Sequence, residues 1–378
     1  MKKIIYRNLA TDCTKFFLLT IFTISIIIWV LQAVNYLDFV IEDGHGFFVY
    51  FNYTLLSFPK ILSRIYPFAI FLAFSYIILK YEDKNELIIF WNFGIKKIHF
   101  INFFIKISFF FVLLSLLLNA LITPMAQDKA RSFIRSSDLD FFESVLKPKK
   151  FVDVVKNLTI YYEKKNKNIK LKNIFLNDKS NPNESQTTIA KTGRFEMRGD
   201  KKILILFNGK TITNVNRKTS EFNFSKTNFN ISKFSTHSTT HQKTQETSTK
   251  ELVLCLLILN KFKKDIDSKI KRELNNCKLS NMLNIYKEIY TRLIKPIYIT
   301  FLIAISLLLI LKSKSDHAFN VQKFRIYSLG FISIVFLESS SKFISTNLIQ
   351  NLFLSMLPFI LILIIYFYFL ITLKVKEI

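Results

Sequence analysis

Six apolar segments, three before and three after one polar, lysine-rich block of roughly 170 residues, constrain this chain more than any other feature. A polar block of that size among membrane-length segments has to fold as a domain of its own on one side of a bilayer. The flanking triplets have to come together within the bilayer, where every backbone polar group needs an internal partner. The plan is that of a transport or assembly subunit more than that of a soluble enzyme.

Read in windows of about 20 residues, the candidate spans are Phe16–Val34, Ile61–Leu79, Ile101–Thr123, Ile294–Leu311, Ile326–Phe343 and Leu352–Leu373. The second carries Arg64 and Pro67 near its start, and the fifth carries Glu338 and Lys342 near its end. The first is not a cleavable signal peptide, because its apolar run is long and is followed by Asn35-Tyr36-Leu37-Asp38 in place of a small-residue cleavage pattern. Half of the 378 residues are hydrophobic and mean hydropathy is positive, as in a membrane protein. The 53 Lys and Arg against 27 Asp and Glu leave a net charge of +26. That excess suits nucleic acid or anionic lipid, or reflects a composition rich in Lys, Asn, Ile and Phe and poor in Gly throughout; drift is the stronger reading.

Short-loop charge sets the orientation. Lys2, Lys3 and Arg7 precede the first span, Lys80, Lys84, Lys96 and Lys97 separate the second from the third, Lys312, Lys314, Lys323 and Arg325 separate the fourth from the fifth, and Lys374 and Lys376 follow the sixth. The alternate connections carry Asp38, Glu42 and Asp43, or no charge at all over Thr346–Asn351. The bias places both termini in the cytoplasm and the large block outside, whose own lysines do not count because long domains translocate largely regardless of charge.

Within the block, Leu158–Tyr162, Leu171–Leu176, Thr187–Ala190, Lys202–Phe207 and Phe222–Phe224 read as short strands. Between them stand the turn signals Asn166-Lys167-Asn168, Asn181-Pro182-Asn183, Arg198-Gly199-Asp200 and Asn208-Gly209. That spacing predicts an antiparallel sandwich, barrel or jelly roll, with Asn208-Gly209 as the strongest hairpin signal. Ser235–Ser248 reads as a loose loop. Beyond Thr249 the spacing of Leu252, Leu256 and Leu259, then Ile266 and Ile270, then Leu283 and Tyr286, turns helical and leads into the fourth span. The expected organisation is residues 1–123 (N-terminus and first three spans), 124–292 (the external domain with a helical connection) and 293–378 (last three spans and C-terminus).

Candidate chemistry is sparse. Gly209-Lys210-Thr211 lacks the glycine a phosphate-cradling loop needs five residues earlier, where Leu204 stands, and a hairpin explains it better. His237 and His241 have a metal-ligand spacing but no third ligand nearby. Cys13, Cys255 and Cys277 are scattered and odd in number, supporting neither a disulfide framework nor a metal. No catalytic constellation, cofactor site or metal site is expected. The stretch Tyr81–Gly94 predicts a short helix, with Asp83 capping the first turn, Glu86 at the capping-box position and Gly94 at a left-handed end. Its apolar face would comprise Leu87, Phe90, Trp91 and Phe93. Glu86 either caps that helix or meets a partner protein.

At this point the chain resembles the LptF/LptG permease family, the membrane subunits of the ATP-driven lipopolysaccharide exporter. The resemblance rests on Trp29-x-x-Gln32-Ala33 to Leu37-Asp38, Gly44 or Gly46, Thr54-Leu55-Leu56 to Pro59, Pro67-Phe68-Ala69, and Asn85-Glu86-Leu87 to Gly94. It continues through Leu158–Tyr161, Asn177-Asp178 with Asn181-Pro182, Thr188–Lys191 with Gly193, Leu206–Gly209, and Glu288-x-x-x-Arg292-x-x-x-Pro296. The Trp-x-x-Gln stretch and the Asn-Gly pair resemble the LptF branch more than the LptG branch. The resemblance implies a polytopic helical membrane protein with six spans and an inserted periplasmic β-jellyroll, and a non-catalytic permease role in the inner membrane. It implies as partners a second, LptG-like permease, an LptB-like ATPase dimer, LptC- and LptA-like jellyroll proteins and lipopolysaccharide, with no nucleic acid. It further implies ATPase coupling through Glu86, Leu87, Trp91 and Gly94, and a lipid-binding role for Lys342, whose alternative is an i, i+4 pair with Glu338. Gln32 and Asn35 stand where family members can carry phosphate-facing basic residues, so either Lys60 and Arg64 supply that charge or the partner permease does. The competing readings are the sister subunit LptG, a permease of another ABC system, and a membrane scaffold with an external β-domain and no transport role.

Overall fold

The computed structural model describes residues 2–37, 47–145, 148–155, 158–165, 170–181, 184–198, 201–215, 218–230, 243–259 and 277–375. Asp38–Gly46, His237, His241, Ile266 and Ile270 lie outside the described residues, as do Asn166–Asn168, Pro182 and Gly199. The chain divides into a helical unit (Met1–Val34, Thr54–Ala130, His241–Ile378) and a second unit (Asn35–Tyr53, Arg131–Thr240).

The first half of the helices is α1 (Lys2–Asn35), α2 (Phe47–Asp83), the short α3 (Glu86–Asn92) and α4 (Lys97–Leu117), which runs through a π-helical turn at Leu118–Ile122 into α5 (Thr123–Val145). After the sheet come α6 (Thr249–Leu259) and α7 (Met282–Ile289), then a second π-turn at Tyr290–Ile294, a 3₁₀ turn at Lys295–Ile297 and α8 (Tyr298–Leu307). The chain ends with α9 (Phe319–Ser340), a 3₁₀ turn at Ser341–Phe343 and α10 (Leu348–Val375). Among the described residues, five stretches are long and apolar enough to cross a membrane: Ile4–Asn35, Phe47–Asp83, Lys97–Ile134, Leu279–Leu311 and Leu348–Leu373. The expected fifth span falls on the 22-residue α9, which is not among those five. Lys323, Arg325 and Glu338 fall inside that helix and dilute its hydropathy.

Burial sorts these helices. Every residue of α8 is buried, packed on α4, α9 and α10, whereas only 11% of the apolar window of α10 is covered. The centre is pinned by hydrogen bonds between helices, Tyr66 Oη to the Phe111 carbonyl at 2.9 Å and Ser108 Oγ to Thr300 Oγ1 at 3.0 Å, the device expected where lipid supplies no hydrophobic drive for helix association. Gly330 lets α9 meet α2 at van der Waals contact, since a Cβ there would collide with the ring of Phe71. Trp29 Nε1 donates to the Thr54 carbonyl at 2.7 Å, so this residue of the Trp-x-x-Gln stretch ties α1 to α2 one turn before Pro59.

The second unit holds one antiparallel sheet of six strands in sequence order, β1 (Val152–Val155), β2 (Leu158–Lys165), β3 (Lys170–Asn181), β4 (Glu184–Arg198), β5 (Lys201–Val215) and β6 (Lys218–Asn230). All five expected strands lie inside these longer ones. The described strands form a meander, without the Greek-key crossings of a jelly roll. The expected hairpin at Asn208-Gly209 is corrected: both residues lie in the middle of β5, and the chain reverses between Val215 and Lys218.

A different device occupies that position. The strand partners skip Glu163, Asn173, Lys191, Asn208 and Ser225, a line that crosses β2 to β6. Asn173 and Asn208 have φ near +50°, a left-handed conformation that asparagine tolerates, and Glu163 Oε2 accepts from Asn173 Nδ2 at 2.5 Å. The buried face changes parity across the line. On β3 it passes from Leu171 to Ile174 and Leu176, and on β4 from Thr188 and Ala190 to Gly193. The sheet is therefore creased, and one apolar face continues through the crease to form a core of Leu158, Ile160, Tyr162, Ile174, Leu204 and Leu206. Burial pushes the Tyr162 phenol above its ordinary pKa. Gly209 completes the crease, because a Cβ there would strike the Ile189 carbonyl.

Candidate functional site

Two places in the helical unit bring the singled-out residues together. At one end lie the start of α1, α3, the 308–318 segment and the C-terminal half of α10, as the ring contacts of Tyr6 with Phe90 and Phe103 and the Tyr366–Asn102 hydrogen bond require. Here α3 buries Leu87 and Phe90 and rests Trp91 against Phe100, with Lys97 Nζ 5.5 Å from the indole centroid. Gly94 takes φ +68° with open space beside it, so its conformation and not its size is required. The expected capping is corrected. The residue before α3 is Asn85, itself at φ +58°, and no side chain caps the helix. Glu86 instead projects outward at 38% exposure, 4.0 Å from Lys84. Phe93, expected on the packed face, is exposed together with Ile88 and Ile89. The helix therefore presents a second apolar face beside an exposed carboxylate whose neighbour is Lys84.

Glu82, which sequence reasoning passed over, is the buried acid at this end. It accepts from Ser313 Oγ at 2.9 Å and the Lys314 backbone amide at 2.7 Å, while Lys97 Nζ donates to the Ile310 carbonyl at 3.0 Å. The segment leading into α3 and the segment between α8 and α9 are thereby tied into one patch. No local pattern marks this, since the partners are more than 200 residues apart.

At the opposite end of the helical unit is a polar pocket of about 300 Å³. Both π-turns border it, supplying Asn119 from the first and Thr291 and Arg292 from the second. Such turns recur at functional sites because the extra residue opens the backbone ladder. Lys60 and Arg64 of α2 line the pocket, as do Glu288, Lys295 and Glu338. Arg292 is 2% exposed and fully engaged: Glu288 Oε1 accepts at 3.0 Å, the Thr247 and Gln245 carbonyls at 2.8 and 2.9 Å, and Thr249 Oγ1 at 2.9 Å. The Glu288-x-x-x-Arg292 motif is thus the clamp that fastens the 243–249 segment to the helices, with Thr249 Oγ1 donating onward to the Ala120 carbonyl. Lys60 Nζ donates to Gln245 Oε1 at 3.3 Å. Thr123 Oγ1, also in the lining, is buried without a hydrogen-bond partner.

Lys342 does not join this group. It is exposed in the turn after α9, and its expected partner Glu338 pairs with Lys295 at 3.2 Å. The i, i+4 pair is corrected: the 3₁₀ turn at Ser341–Phe343 breaks the α-helical spacing, and the Lys295 ammonium lies closer. The cysteine reading is corrected as well. Cys255 of α6 and Cys277 form a disulfide, with Cα atoms 5.7 Å apart, and Cys13 alone is free and buried.

Against known proteins, a family model described as Lipopolysaccharide export system permease LptF/LptG matches residues 7–372. A protein of Rickettsia prowazekii (strain Madrid E), described as uncharacterized protein RP871, is 22% identical over 188 residues, covering 50% of this chain and 52% of that protein. The chain spans about half the length of that curated relative.

Proposed function

The chain belongs to the LptF/LptG family of lipopolysaccharide export permeases, and on that premise we propose that it is the membrane-embedded permease subunit of an ABC exporter that extracts lipopolysaccharide from the inner membrane and passes it to a periplasmic bridge. The observation that carries this reading is the family match over residues 7–372, which takes in both helical halves and the sheet between them. The finer assignment is the LptF branch, with ATP hydrolysed by a separate, LptB-like dimer and an LptG-like second permease alongside.

In this reading α9 also crosses the membrane, as the fifth of six spans. The stretch Ile326–Leu337 carries no charge, and the charged residues on either side stand near the helix ends, where long side chains reach the interface. Both termini and α3 face the cytoplasm by the short-loop charge bias. The exposed Glu86, Ile88, Ile89 and Phe93 form the surface that meets the ATPase, and Leu87, Trp91 and Gly94 hold that surface in place. The creased sheet is the chain's version of the family's periplasmic jellyroll, and its two edge strands suit strand addition by LptC- or LptA-like partners. The polar pocket lies on the outer side, where Lys60 and Arg64 draw in lipid phosphates and the unsatisfied Thr123 hydroxyl awaits a polar group. Arg292 is spent on the clamp, and the exposed Lys342, outside the pocket's lining, stays available to a headgroup.

Reconstitution of the chain with its second permease and ATPase in lipopolysaccharide-containing liposomes tests the proposal. ATP-dependent release to a soluble acceptor is expected, with no ATP hydrolysis by the chain alone. Lys60→Gln with Arg64→Gln should lower release while leaving assembly intact. A complex that assembles but never releases lipid, with any acceptor, would favour the scaffold reading.

A further inference from the structure

A second polar groove lies between α1, α4 and α10, at the same end of the helical unit as α3 and outside the pocket of Lys60 and Arg64. On α4, His99, Asn102 and Lys106 follow one another at helical spacing and share a face. Tyr366 of α10 donates to Asn102 Oδ1 at 3.1 Å, and Tyr6 of α1 packs on Phe103 with ring centroids 4.3 Å apart. Together with Ile362 and Leu363 these residues line a groove of about 580 Å³.

Lys106 makes the groove unusual. It stands nine residues beyond Lys97, about 14 Å along the helix axis, in a segment otherwise apolar enough to cross a membrane. It is exposed, and among the described residues no carboxylate pairs with it. An ammonium at that depth is costly unless it reaches water, finds a counter-ion or meets a polar cavity. The groove supplies the last of these and has the polarity of an amphiphile: His99, Asn102 Nδ2 and Lys106 offer donors, Tyr366 holds the Asn102 amide in place, and Phe103, Ile362 and Leu363 form an acyl-compatible wall. Basic pockets between membrane helices favour anionic lipid headgroups in this way.

We propose that the groove formed by His99, Asn102, Lys106 and Tyr366 binds the phosphodiester headgroup of an anionic phospholipid in the leaflet at the α1-start end, with its acyl chains along Phe103, Ile362 and Leu363. The site is separate from the pocket of Lys60 and Arg64, so it depends on the helices spanning a membrane and not on the transport reading.

The test uses the full chain in detergent, with phosphatidylglycerol, phosphatidylcholine or inorganic phosphate added, and reads both lipid adducts by native mass spectrometry and the thermal midpoint. Phosphatidylglycerol should be retained in preference to phosphatidylcholine and should raise the midpoint. Lys106→Gln should weaken phosphatidylglycerol retention about fivefold, Lys106→Arg should restore it, and Lys278→Gln, an exposed control at the other end, should leave it unchanged. Should Lys106→Gln fold poorly, Asn102→Ala replaces it and should also reduce retention. Equal retention of the two lipids, full retention by Lys106→Gln or Asn102→Ala, or equal protection by inorganic phosphate would overturn the proposal.

Discussion

Arg292 shows how one side chain can hold a membrane protein's irregular backbone in place. Its guanidinium meets one carboxylate, two carbonyls and a hydroxyl, all within 3.0 Å, in a site shielded from water. Taking it away leaves the Glu288 charge and those acceptors without a donor. Breaking a buried pair typically costs about 3–5 kcal/mol, so Arg292→Met should lower the thermal midpoint sharply, and Arg292→Lys should recover only part of the loss because a point charge cannot span the fork. Differential scanning fluorimetry of the purified variants in one detergent measures this. Glu86 is the contrasting case, a carboxylate with no capping bond and little to lose in the fold. Glu86→Ala and Glu86→Gln should leave expression and thermal midpoint near wild type while impairing ATP-driven release in the reconstituted complex. Full release by both would leave Glu86 a surface residue. The two residues differ in legibility. Glu86 stands in a visible local pattern, Asn85-Glu86-Leu87 to Gly94, whereas the role of Arg292 depends on the 243–249 segment more than 40 residues away.

At the level of elements, the creased sheet and the two π-turns follow one logic: a local departure from the regular backbone re-aims everything beyond it. In a strand, side chains alternate with a period of two, so a single irregular position moves the following residues to the other face. A line of such positions across β2 to β6 keeps the core continuous only because every strand shifts together. Asn208 is the test. Asn208→Gly should be tolerated, because glycine enters the left-handed region freely, whereas Asn208→Val should destabilise by about 1–2 kcal/mol. Chemical denaturation followed by near-UV circular dichroism separates the two, and equal stability of both variants would count against the crease. The same Asn-Gly pair reads from sequence as a hairpin because turn and crease ask for the same left-handed backbone. Only the pairing of Ile189 with Lys210 and of Lys210 with Asn223 shows that the strand continues through it.

Over the whole molecule, the disulfide offers a chemical check on orientation. Cys255 and Cys277 belong to the α6–α7 region at the end of the helical unit opposite the start of α1, and Cys13 lies buried within α1. Disulfides persist in oxidising compartments, and the proposed topology places that end in the periplasm. In intact cells, a membrane-impermeant maleimide should label neither Cys255 nor Cys277 before reduction; after it the half-buried Cys277 should label, with the buried Cys255 and Cys13 silent until denaturation. Labelling of Cys277 without reductant would show the bond to be absent, and silence of Cys277 after reduction would place that end in the cytoplasm.

Hydropathy, loop charge and turn chemistry are properties of short windows, and from the sequence alone they determined the membrane-length helices flanking a polar insert, its strand-rich character and the short helix at Glu86, while the motif resemblance gave the family. Tertiary structure decided the rest: that Glu338 pairs with Lys295 and not Lys342, that Glu82 holds the segment after α8, that two scattered cysteines meet, and that Asn208-Gly209 bends a strand. In each case the deciding partner is distant in sequence. Its identity depends on which helices and strands pack together, and no local window carries that information.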